Sequence, residues 1–334
     1  MTLNVQVPST IIPGSKIAIV GEAPGADEVK QGRGFIGKAG QTLNMMLTAA
    51  GVDRSRVSVF NVVKRAPDGG FDSEHFKTTF YETVNEPRFT KTGKRAKKDV
   101  TVTRPTSELS EWYNLLESEL RSLRPNIVLA AGNEALKFLY GVEGITSYRG
   151  SLLESTRIPG LKVVPIVHPS WITTRAQWEY YYISITDIKK ALRESESPVL
   201  NRVKYNSIVP QCDSVIATLT GLSEFTYDYS LDLEIRAGSI ACIGLAYQDE
   251  FGYTGLCIPI QTTKGPYWHP EQEALILTAL DKLLRANPNL VGQNLWSFDL
   301  YWLLRLYGMY PEGVKMDTMI GQFLLAPELP KGLD

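Results

Sequence analysis

The chain has 334 residues, 43% hydrophobic and 21% charged, with 35 Lys+Arg against 36 Asp+Glu and a net charge of −1. This usage excludes wholesale disorder, and the length exceeds the ~100–200 residues of one domain, so two domains are expected. No apolar run approaches the ~18–20 residues of a membrane span, and the start MTLNVQVPST has no leader pattern. Three cysteines, Cys212, Cys242 and Cys257, cannot form a disulfide framework. A chain of a reducing, cytoplasmic compartment with no membrane partner is therefore expected.

In chain order, KIAIVGEAPG (16–25) reads as a buried strand that breaks into a Gly/Pro turn. AGQTLNMMLTAA (39–50) has helical spacing and stops at Gly51. VSVFNVV (57–63) is a second strand ending in APDGG. Residues 68–105 break the alternation and read as a β-hairpin insertion, with FKTTFYETV and KKDVTVTR as its strands. Within 86–104 seven basic residues, among them Lys94, Arg95, Lys97 and Lys98, oppose two acidic ones, a local charge of +5. Two readings of that charge stand: a solvated edge that discourages aggregation, or a phosphate-binding stripe.

A helix over 107–123, capped by Ser107, leads into the strand NIVLAAG, a helix at 133–140, the strand KVVPIVHPS (162–170) and a helix at about 175–193. Strands alternating with helices predict a parallel sheet covered on both faces, with ligands at the carboxyl ends of the strands. That rule singles out 21–37, 61–67 and 168–175. Residues 196–212 read as a linker; beyond it come strands at 227–234, 238–248 and 252–260, a helix at 271–286, the strand LVGQN and a helix at 299–307.

Four segments at predicted strand ends belong together: GEAPG, QGRGFIGKAG, NVVKRAP and HPSWITTR. Phe35 follows Glu22 by 13 residues, and Asn61 follows Phe35 by 26. In order and spacing they resemble the uracil-DNA glycosylase superfamily, most closely family 4, over roughly 14–193. The resemblance implies a three-layer α/β fold and hydrolysis of the N-glycosidic bond of uracil in DNA. Phe35 would stack on the flipped base, and the Asn61 amide would match uracil N3–H and O4 together. His168 would donate to uracil O2 as charge develops there, and Glu22 would hold the attacking water or stabilise the cationic sugar. Backbone N–H groups around Gly21 and Gly25 would bind base or phosphate, and Glu28 would lie near C5. Ser170, Trp171, Ile172 and Arg175 would meet DNA, with Trp171 or Ile172 as the wedge that fills the vacated stack, or with Trp171 as plain core.

Two features depart from that family. Its four iron–sulfur cysteines have no counterpart, since no cysteine precedes Cys212 and Arg65 stands at one of their positions. No cofactor is expected in the first domain, and Trp112, Tyr113 and the insertion would fill the space. Gly34 also replaces a proline, which loosens the loop presenting Phe35. No histidine-containing insertion follows the Asn motif, so turnover rather than a trapped adduct is expected.

In the second half, Asp232-x-Glu234 lies on an apolar strand, and Asn294 and Asp299 lie at a strand-to-helix junction. With PELPKGL these resemble the DEDD 3′–5′ exonuclease domain of family A DNA polymerases, of RNase H-like fold. The resemblance implies Mg²⁺ or Mn²⁺ at Asp232, Glu234 and Asp299. Its Tyr-x-x-x-Asp motif is absent, so the domain reads as incomplete at its C-terminus; Asp317 reads as a helix cap. The expected organisation is a glycosylase-like domain over 1–195, the linker, and an exonuclease-like domain over 213–334, together the N-terminal part of a phage-type replicative polymerase. The remaining polymerase, in cis or as a separate chain, would be a partner beside single- or double-stranded DNA, in the host cytoplasm if viral. The alternatives are a degenerate uracil-sensing or DNA-tethering module, and a nuclease whose first domain is only a scaffold.

Overall fold

The structure, a computed structural model, describes residues 5–86, 100–174, 176–202, 204–225, 227–250, 252–325 and 327. The chain divides into two compact units, 1–200 and 201–334. Among the described residues no helix is long and apolar enough to cross a membrane.

In the first unit the elements are β1 (Ile17–Gly21), α1 (Ala26–Gln31), α2 (Lys38–Ala49), β2 (Val57–Asn61), α3 (Ser73–Phe80), β3 (Tyr81–Glu86), β4 (Val100–Pro105) and α4 (Ser107–Leu123). They continue with β5 (Ile127–Ala131), α5 (Asn133–Tyr140), α6 (Ile145–Tyr148), β6 (Leu153–Glu154), β7 (Lys162–Ile166), α7 (Pro169–Thr174) and α8 (Glu179–Glu194). The central sheet has the order β2-β1-β5-β7-β6; the first four strands are parallel and β6 is an antiparallel edge. Because successive strand residues point to opposite faces, β1 divides its apolar side chains between two cores. Ala18 and Val20 pack with α3, α4 and α5, while Ile17 and Ile19 pack with α2, α7 and α8. This is a three-layer α/β arrangement, and it brings Gly21 level with Asn61 and Ala131 level with Ile166 at one edge of the sheet.

The first arm expected of the hairpin is half helix. Asp72 Oδ1 accepts the N–H groups of Glu74 and His75, which starts α3, and Phe76 and Phe80 bury one turn apart. Strand β3 begins only at Tyr81 and pairs antiparallel with β4. Lys94, Arg95, Lys97 and Lys98 lie outside the described residues, as does Arg175. The expected cap of α4 also moves by one residue: the Thr106 hydroxyl, not Ser107, accepts the Leu109 N–H. The strand expected to run to Ser170 stops at Ile166 and gives way to α7.

Phe35 sits at φ +55°, a left-handed conformation that a bulky residue rarely adopts. Gly40 permits the close approach of that loop, since a Cβ there would fall 1.9 Å from the Phe35 carbonyl oxygen, a backbone atom that cannot yield. Gly40→Ala is expected to lower stability by about 3 kcal/mol through overpacking. A thermal unfolding midpoint unchanged from wild type would refute this.

The second unit contains β8 (Tyr205–Ile208), α9 (Cys212–Glu224), β9 (Tyr229–Arg236), β10 (Ser239–Asp249), β11 (Gly252–Pro259), the ribbon β12 (Gln261–Thr262) and β13 (Gly265–Pro266), and α10 (Pro270–Ala286). It ends with β14 (Leu290–Gly292), α11 (Asp299–Tyr307), β15 (Met316–Asp317) and α12 (Thr318–Leu325). The sheet order is β15-β14-β9-β10-β11-β8, with an antiparallel β9–β10–β11 meander and with β14 parallel to β9. Residues read as linker include β8, which pairs parallel with β11. Helix α9, which the sequence reading passed over, buries Val215, Leu219 and Leu222.

Candidate active site

Four parallel strands deliver their following residues to the same sheet edge. After β1 comes Glu22, β2 ends on Asn61, Gly132 and Asn133 follow β5, and His168 follows β7. A cavity of about 520 Å³ opens there, lined by Glu22, Gly132, Glu134, His168, Ser170 and Trp171 among others.

The His168 ring is fixed by its own loop. Its Nδ1 accepts the Ser170 N–H at 3.2 Å and lies 2.6 Å from the Ser170 hydroxyl. An acceptor Nδ1 leaves the proton of the neutral ring on Nε2. Burial pushes the imidazole down to about 4, so near neutrality it is an uncharged Nε2–H donor. Glu22 responds in the opposite sense: burial first, then the nearby Glu134 carboxylate, raise it to about 7, against the opposing pull of Lys77.

Beside the cavity Phe35, Asn61 and Gly21 form a tight cluster. A Cβ at Gly21 would lie 2.4 Å from Phe35 Cζ and 2.6 Å from Asn61 Oδ1, so only glycine allows the ring and the amide to close on the end of β1. The Phe35 and His168 ring centroids are 6.4 Å apart. Phe35 is 5% exposed and Asn61 6%, and neither lines the cavity; His168 joins the cluster to it. The Asn61 backbone carbonyl, not its amide, accepts from Lys64 Nζ, which also reaches Glu119 at 2.9 Å.

Other expected residues are placed differently. Glu28 is buried, and its carboxylate is committed to the loops: Oε2 accepts the Gly25 N–H and Oε1 the Ile36 N–H at 3.2 Å. It ties GEAPG to the Phe35 loop, and the Gly25 amide is thereby taken up internally rather than offered to a base or phosphate. Ile172 is fully buried in the α2–α8 core, which removes it as a wedge. Trp171 borders the cavity and packs on Tyr180 with ring centroids 4.9 Å apart.

Where the family resemblance places a cluster cysteine, Arg65 makes a two-point contact with Glu108, its Nη2 reaching Oε2 at 2.8 Å, and stacks over Phe80 at 4.8 Å. Trp112 Nε1 donates to the same Glu108 carboxylate. The polar residue missed from sequence is Glu134, which is 3% exposed and accepts from the Tyr81 hydroxyl at 2.7 Å. It follows β5, the one parallel strand end not singled out above; the polar pair Asn133-Glu134 directly after NIVLAAG is the signal that marks it.

In the second unit Asp232 and Glu234 are exposed on one face of β9, while Leu231 and Leu233 turn into the core. Asp299 Oδ1 accepts the Leu233 N–H at 2.8 Å, and burial raises its carboxyl to about 6. Asp317 Oδ1 accepts the N–H groups of Asn294 and Met319, so it caps α12 and pins the turn after β14. Among the described residues no three His, Cys, Asp or Glu side chains are placed to hold a metal ion together. The acidic face therefore does not fit a metal site as it stands, and no step is routed through one.

Residues 8–192 match the model of the uracil DNA glycosylase superfamily. The chain is 29% identical over 181 residues to the type-4 uracil-DNA glycosylase of Thermotoga maritima, covering 53% of this chain and 76% of that protein. It is 28% identical over 183 residues to the type-4 enzyme of Archaeoglobus fulgidus, covering 53% and 75%. Similarity to the DNA polymerase of Bacillus phage SP01 is lower, 23%, but extends over 92% of this chain while spanning 32% of that polymerase. The family match takes in more than half of the residues, and it includes every strand end that builds the cavity edge: the chain belongs to the uracil DNA glycosylase superfamily.

Proposed function

We propose that the first unit is a uracil-DNA glycosylase that hydrolyses the N-glycosidic bond of uracil in DNA without a bound cofactor. The observation that carries this is His168, its Nδ1 held by Ser170, at one sheet edge with Glu22, Asn61 and Phe35. As the bond between C1′ and N1 breaks, the electron pair passes into the uracil ring and charge accumulates on O2. A fixed N–H donor stabilises that charge without itself ionising. The Glu22 carboxylate steadies the oxocarbenium-like sugar and orients the water that adds to C1′. Asn61 reads the N3–H and O4 edge, and Phe35 supplies the stacking face once the base has left the helix. Trp171, on the cavity rim, is the remaining candidate to fill the vacated stack. The Arg65–Glu108–Trp112 contacts supply the cross-linking that a cluster would otherwise provide.

For the second unit the reading is an exonuclease-like domain of a family A replicative polymerase. An antiparallel three-stranded meander followed by two parallel strands supports it, as do the shared face of Asp232 and Glu234 and the phage-polymerase similarity that extends beyond the first unit. Mg²⁺ or Mn²⁺ there would need a further ligand.

The test uses oligonucleotides carrying one uracil, single- and double-stranded, with EDTA present and alkaline cleavage of abasic sites. Uracil-dependent cutting is the expected result. Selective binding of uracil-containing DNA without cutting would replace the enzyme by a sensing module.

A further inference from the structure

We propose that Glu134 is a positioning residue of the glycosidic reaction: held by Tyr81 in the cavity that Glu22 lines, it sets the pH at which Glu22 becomes the working carboxylate. This rests on the glycosylase reading, and it assigns a role to a residue outside all four of its motifs.

The geometry is specific. Glu134 is in the first turn of α5, and its Oε2 accepts the Tyr81 hydroxyl. The Tyr81 hydroxyl lies 3.2 Å from that of Tyr113, and the Lys137 ammonium sits over the Tyr81 ring at 4.2 Å. Tyr81 opens β3 and Tyr113 lies on α4, so the segment that carries no cluster cysteine here braces an acid of the pocket instead.

Charged groups on three elements face the pair among the described residues. Glu22 is acted on by Glu134 from α5, by Lys77 from α3 and by Asp72 at the start of α3. Glu134 is acted on by Lys137 of its own helix, by Glu143 beyond it and by Lys77, with Tyr81 donating to it. Burial raises both carboxyl groups, and the Glu134 charge in the shared cavity raises Glu22 further. Removing the Glu134 charge leaves Glu22 without its repelling neighbour, so Glu22 loses its proton at lower pH. Removing Lys77 takes away the attracting charge and moves it the other way.

The test compares wild type, Glu134→Gln and Lys77→Gln in the full chain. Glutamine keeps an acceptor for Tyr81, and Lys77 is an exposed side chain whose loss leaves the core intact. Two readouts are taken: the pH profile of uracil release, and ¹³C NMR titration of the Glu22 carboxyl, assigned by its loss in Glu22→Gln. The acid limb and the Glu22 titration are expected to move down by about one pH unit in Glu134→Gln and up in Lys77→Gln. Profiles and titrations that coincide with wild type in both variants, with unfolding midpoints retained, would overturn the proposal. Should no protein release uracil, the glycosylase reading falls, and the Glu22 titration alone decides whether Glu134 controls that carboxyl.

Discussion

His168→Ala is expected to slow uracil release by about 10²–10³-fold, the usual cost of losing one aligned donor to a developing oxyanion. The donor is aligned before substrate arrives. Ser170 presents its N–H to Nδ1, which fixes both the ring plane and the tautomer, so nothing must reorganise as charge grows on O2. Burial keeps the ring neutral above about pH 4, so no histidine limb is expected in the rate profile between pH 5 and 9. A neutral donor also gives up no proton to the departing base and needs none back. Ser170→Ala retains the backbone N–H and should cost far less than His168→Ala. Single-turnover rates on a uracil-containing strand measure both variants. If His168→Ala stays within threefold of wild type, the donor lies elsewhere and the mechanism is wrong.

Much of this site was legible because its residues sit at strand ends, where apolar β-branched runs stop and polar or glycine residues begin. Gly21, Glu22, Asn61 and His168 were all marked in that way. Glu134 was passed over because β5 ends in Ala130 and Ala131 and is followed by Gly132, which read as packing rather than chemistry. Its partner Tyr81 comes from a segment with no counterpart in the strand–helix alternation, so no local pattern could join the two. Glu28 shows the opposite failure. A carboxylate close in sequence to the GEAPG turn looked available to ligand, yet it accepts the Gly25 and Ile36 N–H groups and ties two loops together.

The fold was legible to a similar depth. Periodicity located the helices at 133–140 and 299–307 with both ends correct. It misread FKTTF because Phe and Thr favour strands, whereas the Asp72 cap and the burial of Phe76 and Phe80 one turn apart decide for helix. Strand β8 is solvent-exposed along most of its length and belongs to the sheet only through pairing with β11, a tertiary contact that hydropathy does not record. Helix α9 was hidden by its setting directly after the Pro198 and Pro210 breakers, although Val215, Leu219 and Leu222 carry its buried spacing.

Asn61→Asp should reduce uracil release by about 10³-fold, because two matched hydrogen bonds become one mismatch and one repulsion. The amide offers an acceptor for N3–H and a donor for O4 in a single orientation. A carboxylate offers two acceptors, and the second would oppose the O4 lone pairs. The surroundings cannot absorb the change. The side chain is 6% exposed, its amide oxygen is pressed against Gly21, and a Cβ at Gly34 would lie only 4.0 Å from its nitrogen. The ionised acid opposes uracil O4, and where burial restores a proton it can sit on either oxygen, so the acid pairs with N3 and the N4 amine of cytosine as well; either form erodes the preference for uracil. The variant is therefore assayed on paired substrates that differ only in uracil or cytosine at one position. The uracil-over-cytosine ratio should collapse while the unfolding midpoint remains near that of wild type. Retention of the full ratio would mean that Asn61 holds the end of β2 and that the base edge is read by another group.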